Sequence, residues 1–71
     1  EKKYVVRNLE NEYAIDFSSL ASDIRIFDLN GRLIQISSNN HSSFYIAKSN
    51  SPRIIQFTMN GISHRILLGI E

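Results

Sequence analysis

The sequence predicts an all-β fold, a small immunoglobulin-like β-sandwich of about seven antiparallel strands, and three observations carry that expectation. Eleven isoleucines stand against three alanines, a choice that suits pleated strands and not helices. Ten serines and seven asparagines separate the apolar clusters, as turns between short strands require. Two Asn-Gly pairs, Asn30-Gly31 and Asn60-Gly61, each lie between alternating apolar segments, the pattern of tight hairpins. Two sheets packed face to face accommodate such strands; a single curled sheet or small barrel is the alternative architecture.

The elements follow in order. Residues 3–7 (KYVVR) read as a first strand. Tyr13, Ile15 and Phe17 alternate with Ala14 and Asp16 and form a half-buried second strand. Residues 18–22 (SSLAS) read as a connection with room for one short helical turn. Residues 23–28 and 32–37 flank Leu29-Asn30-Gly31 as a hairpin, 37–43 (SSNNHSS) form a loop and 44–47 a short strand. A second loop covers 48–51; Pro52 can open the next strand but not occupy its middle. Residues 53–59, the turn Asn60-Gly61 and residues 62–68 close the domain as a last hairpin.

The turns also predict register. A two-residue type I′ turn at Asn60-Gly61 pairs Met59 with Ile62, Phe57 with His64 and Ile55 with Ile66, which collects five apolar residues and one histidine on one face. At the first hairpin a type I turn with Gly31 in a left-handed bulge position pairs Asp28 with Arg32, Ile26 with Ile34 and Ile24 with Ile36. Four isoleucines then share a face. In that geometry the Asp28 carboxylate caps backbone N–H groups of the turn and sits opposite Arg32.

Length and composition narrow the function. The 71 residues are expected to form one domain, 1–71. With no cysteine there is neither a disulfide framework nor a Cys-ligated metal, and no cofactor is expected. Eight Lys/Arg against seven Asp/Glu give a net charge of +1 with no basic stripe, which speaks against nucleic acid as a partner. The longest apolar run, Ile66-Leu67-Leu68 before Gly69-Ile70, is far short of the roughly 20 residues of a membrane span, so no membrane insertion is expected. His41 and His64 are 23 residues apart, with no nucleophile elbow, phosphate-binding glycine loop or ligand cluster around them, so the chain reads as a non-enzyme. His64, facing Phe57, reads as a packed residue. Tyr4, Tyr13, Phe17 and Tyr45 offer rings for a sugar platform, although Tyr13 and Phe17 lie in phase with Ile15 and so belong to the core.

The string Asp23-Ile24-Arg25-Ile26-Phe27-Asp28-Leu29-Asn30-Gly31-Arg32-Leu33-Ile34 resembles the signature of the type IX secretion system C-terminal sorting domain, type A, which runs as apolar-x-apolar-aromatic-D-x-x-G-K/R-x-apolar. Ser51-Pro52-Arg53-Ile54-Ile55-Gln56-Phe57, then Asn60-Gly61 and Arg65-Ile66-Leu67-Leu68, is similar to the family's later elements; Arg53 stands where the family usually has Gly. The similarity runs over roughly residues 12–68. It implies a C-terminal module of a larger exported protein of a Bacteroidetes-type bacterium, passing through the periplasm to the outer membrane, the cell surface or the medium. It implies as partners the attached cargo domain, an outer-membrane shuttle protein and a sortase that removes the module. The expected recognition residues are Asp28, Asn30, Gly31, Arg32, Asn60, Gly61, Arg65, Leu67 and Leu68, and cleavage is expected at or before residues 1–3. Two other readings remain beside it: a carbohydrate-binding accessory sandwich of a secreted protein, and a structural module that pairs with a second copy at a bare sheet edge.

Overall fold

The computed structural model describes residues 3–69. Among these described residues six antiparallel strands form one strongly curled, half-barrel sheet, and there is no helix. They are β1 (Tyr4–Asn8), β2 (Glu12–Phe27), β3 (Leu33–Ser37), β4 (His41–Ala47), β5 (Arg53–Met59) and β6 (Ile62–Leu68).

The expected seven strands become six because the second and third merge. The SSLAS segment, expected as a connection, is the middle of the 16-residue β2. A straight strand of that length would span about 50 Å at ~3.3 Å per residue, yet the longest dimension of the domain is 31 Å. β2 therefore has to bend. Its ladder with β4 jumps between Asp16 and Ala21, its ladder with β5 jumps between Ser22 and Arg25, and Asp23 takes a left-handed φ of 52° at the second break. Aspartate is among the few non-glycine residues that tolerate that conformation.

The bend lets one strand serve two limbs. Its first part lies between β1 and β4, and its last part between β3 and β5, with β6 beyond β5. A single hydrogen-bonded sheet thus replaces the two separate sheets of the sequence reading. The concave side holds the core, in which Ile15, Ala21, Ile24, Ile26, Ile55, Phe57 and Met59 are fully buried, closed by Phe44, Ile46 and Leu68. Phe57 sits at the junction of the limbs. Tyr4 meets it edge-on at 5.6 Å, Phe17 lies at 4.9 Å, and His64 stacks on it at 5.3 Å, so His64 is a packing residue as expected.

The closing hairpin has the expected register: Met59 opposes Ile62, Phe57 opposes His64 and Ile55 opposes Ile66. Asn60 and Gly61 have φ of 53° and 76°, the two left-handed residues that a type I′ turn demands. The first hairpin departs from expectation after one pair. Gly31 is left-handed at φ 86°, but Ile34 forms a bulge, so that Ile26 opposes Gln35 and Ile24 opposes Ser37. One extra residue reverses the faces of β3. Ile24 and Ile26 stay in the core, whereas Ile34 and Ile36 are about half exposed. The polar loop is also shorter than expected, since Ser37 ends β3 and His41 already starts β4, with its Nε2 2.8 Å from Ser37 Oγ.

Candidate functional site

The D-L-N-G-R segment folds into a turn fixed from within. Asp28 Oδ1 accepts hydrogen bonds from the backbone N–H groups of Asn30 and Arg32, both at 2.9 Å, and Arg32 Nε donates to Asp28 Oδ2 at 3.2 Å. The backbone closes the same ring, with Asp28 N–H donating to Arg32 O and Gly31 N–H to Asp28 O. These bonds, led by the one from the Arg32 backbone, hold the Asp28 carboxyl below its ordinary range. Its side chain is 15% exposed, while that of Arg32 is 82% exposed. The carboxylate is spent inside the turn and the guanidinium is presented outside it.

On the convex surface beside this turn, strand alternation places two rows of side chains. Phe27 opposes Leu33 on one side and Ile54 on the other, and Ile54 opposes Leu67, giving an apolar row across four strands. The neighbouring row runs Ile36, Arg25, Gln56 and Arg65, with Arg65 Nη2 donating to Gln56 Oε1 at 2.8 Å. Leu29 (56% exposed), Ile54, Arg65, Ile66 and Leu67 (50% exposed) together line a shallow depression of about 270 Å³. A second groove of about 460 Å³ lies between the turn and residues 51–53, with Arg32 and Arg53 both on its wall.

The structure thus brings Asp28, Asn30, Gly31 and Arg32 onto one surface with Arg65 and Leu67. Leu68 does not belong with them. It is 8% exposed and packs in the core, because side chains of β6 alternate and Leu68 shares the inward phase of His64 and Ile66. Asn60 and Gly61 lie at the opposite tip of the β5–β6 hairpin, where Asn60 Nδ2 donates to Ser19 Oγ at 3.3 Å. Phe27, Arg53 and Ile54 were missed by sequence reasoning, whereas Leu29 lies within the expected Asp28–Arg32 turn. The available signal was apolar residues in the outward phase: Phe27 follows buried Ile26, and Ile54 precedes buried Ile55.

The opposite limb carries a separate network. Arg7 Nε donates to Asp16 Oδ2 at 2.7 Å and Ser43 Oγ to Asp16 Oδ1 at 2.8 Å, linking β1, β2 and β4. The bonds from Arg7 first, then Ser43, keep the Asp16 carboxyl below its ordinary range. The four rings of the sugar platform do not assemble. Tyr4, Tyr13 and Phe17 pack on the core, while Tyr45 opposes Ala14 and is 52% exposed on the convex side. Among the described residues no group of three or more His, Cys, Asp or Glu is arranged to hold a metal ion. The expected cleavage stretch falls largely on Glu1 and Lys2, which lie outside the described residues, as do Ile70 and Glu71. Comparison with known proteins finds no matching family model and no matching curated relative.

Proposed function

We propose that this domain is a C-terminal sorting signal, carrying an attached cargo across the outer membrane through a type IX secretion system to the cell surface or the medium. The observation that carries this reading is the Asp28–Arg32 turn: the residues that resemble the family signature form a self-capped turn that sets Leu29 beside Arg65 and Leu67 and presents an exposed Arg32 on the adjoining groove with Arg53. A signal of this kind catalyses nothing and is read as surface. A turn held by its own hydrogen bonds reaches its reader in one conformation and loses little entropy on binding.

The reader in this proposal is an outer-membrane shuttle protein, and a sortase acts on the backbone near the N-terminal end of the domain. The half-barrel is then a shortened immunoglobulin-like sandwich in which the long β2 serves both layers. The test is a reporter with an ordinary signal peptide, fused to these residues and expressed in a type IX host and in the same host without its translocon. The proposal expects reporter at the surface or in the medium only in the first strain. Periplasmic reporter in both strains, with the domain folded, would overturn it.

A further inference from the structure

We propose that the open edge of β6, with the arginine-bearing face beside it, is the docking site for an extended acidic segment of a partner protein whose apolar and carboxylate side chains alternate. The inference deepens the recognition step of the sorting reading and rests on it only for where the partner resides. Each of β1, the β3–β4 rim and β6 pairs with a single neighbour among the described residues, so each is an open edge. They are not equivalent. The β3–β4 rim is broken by the bulge at Ile34 and by the jump opposite β2, and β1 has only five residues.

β6 pairs with β5 over seven consecutive residues without a bulge, and its sequence has no proline or lysine. Bulges, prolines and charged side chains are among the devices that blunt an exposed edge; β6 has no bulge or proline, and its one Lys or Arg is Arg65. The two-residue turn makes Met59 and Ile62 a hydrogen-bonded pair, so the ladder alternates from there. The free N–H and C=O groups at the edge therefore belong to Ser63, Arg65 and Leu67, whose side chains also lie on the convex face.

Charge identifies the occupant. Residues 23–37 and 53–69 contain Arg25, Arg32, Arg53 and Arg65 against Asp23 and Asp28, and the Asp28 oxygens are already bonded within the turn. The other described residues balance Lys3, Arg7 and Lys48 against Glu10, Glu12 and Asp16. The cationic excess is confined to the limb that holds the open edge. A strand added to β6 would place one set of alternate side chains on the convex face beside Ser63, Arg65 and Leu67 and the other set beside Ile62, His64 and Ile66, which suits carboxylates on the first face and apolar groups on the second. A second copy suits it less: antiparallel β6–β6 pairing over the whole strand would centre Arg65 on Arg65.

The test uses the isolated domain, ¹⁵N-labelled, titrated with a blocked octapeptide of alternating Glu and Val and, separately, with its Lys/Val counterpart, at low and high salt. The Glu/Val peptide is expected to shift the amide signals of residues 62–68, with affinity weakened about tenfold by Arg65→Glu and by high salt. Ser63→Pro removes one edge N–H without removing a ladder bond, and is expected to keep the fold and lose the peptide. No shifts in a folded domain, equal binding of the Lys/Val peptide, shifts confined to β1 or β3–β4, or a concentration-dependent dimer through β6 would each overturn the proposal. Because no secretion system takes part, the result stands apart from the fate of the sorting reading.

Discussion

Asp28 and Arg32 are joined by three hydrogen bonds: backbone N–H of Asp28 to O of Arg32 at 2.9 Å, backbone N–H of Arg32 to Oδ1 of Asp28 at 2.9 Å, and Nε of Arg32 to Oδ2 at 3.2 Å. Two of the three require an ionised carboxylate to be at full strength, which ties the turn to pH.

Acid should therefore loosen this turn. The Asp28 and Asp16 carboxyls are both held below their ordinary value of 3.8, so each contributes stability that is complete above that value and is lost as pH falls through the lowered one. Thermal unfolding followed from pH 6 to pH 2 should show a falling Tm, and Asp28→Asn or Asp16→Asn should each flatten the fall. A pH profile unchanged in both variants would contradict the assignment. NMR of Asp28→Asn at neutral pH should place the largest shifts at residues 29–32.

Two glycines separate backbone strain from crowding. Gly61 has φ 76° and open space within 4 Å of where a Cβ would stand, whereas Gly69 has φ 96° and a Cβ there would lie 3.1 Å from Pro52 Cα. Gly61→Ala should cost about 1 kcal/mol, from the left-handed conformation alone. Gly69→Ala adds a backbone contact that cannot rotate away and should cost about 2–3 kcal/mol. Denaturant unfolding of the two variants gives the ordering directly; equal losses would mean that residues 52 and 69 can move apart freely.

The bend of β2 rests on Asp23, the non-glycine residue that is left-handed inside that strand. Asp23→Gly should leave stability within about 0.5 kcal/mol of the wild type, and Asp23→Val should lose about 2 kcal/mol because a β-branched side chain resists that conformation. Denaturant midpoints compare them. A harmless valine would show that the bend is set by the ladder breaks and not by this residue.

Phe57 ties the limbs together, fully buried between Tyr4, Phe17 and His64. Phe57→Ala should cost about 3–5 kcal/mol, enough to leave a domain of this size largely unfolded. Phe57→Leu should cost less and keep a cooperative transition, and circular dichroism melts distinguish the two outcomes.

The closing hairpin was legible because Asn60-Gly61 admits a two-residue turn, and that turn length alone determines which face Ile55, Phe57 and Met59 share. The Asp28 cap was legible for the same reason, since local chemistry within five residues decides it. What could not be read were decisions made by distant segments. Residues 18–22 look like a loop by composition, and they are strand because β1 and β5 supply pairing partners at either end. The Ile34 bulge was hidden because four in-phase isoleucines suggested a shared face, but Ile24 and Ile26 are already covered from β4, β5 and β6. The convex apolar row was hidden by the assumption that outward positions are solvated, which Phe27, Ile54 and Leu67 violate together only once their strands are adjacent.

The central claim, that a folded domain is read at this convex surface as a sorting signal, is tested most directly by the fused reporter carrying Arg32→Glu together with Leu67→Asp. Both side chains are exposed, so the purified variant should melt close to the wild type. The account predicts that surface or released reporter falls at least about tenfold in a type IX host while the reporter accumulates in the periplasm. Undiminished delivery by a folded variant would contradict it.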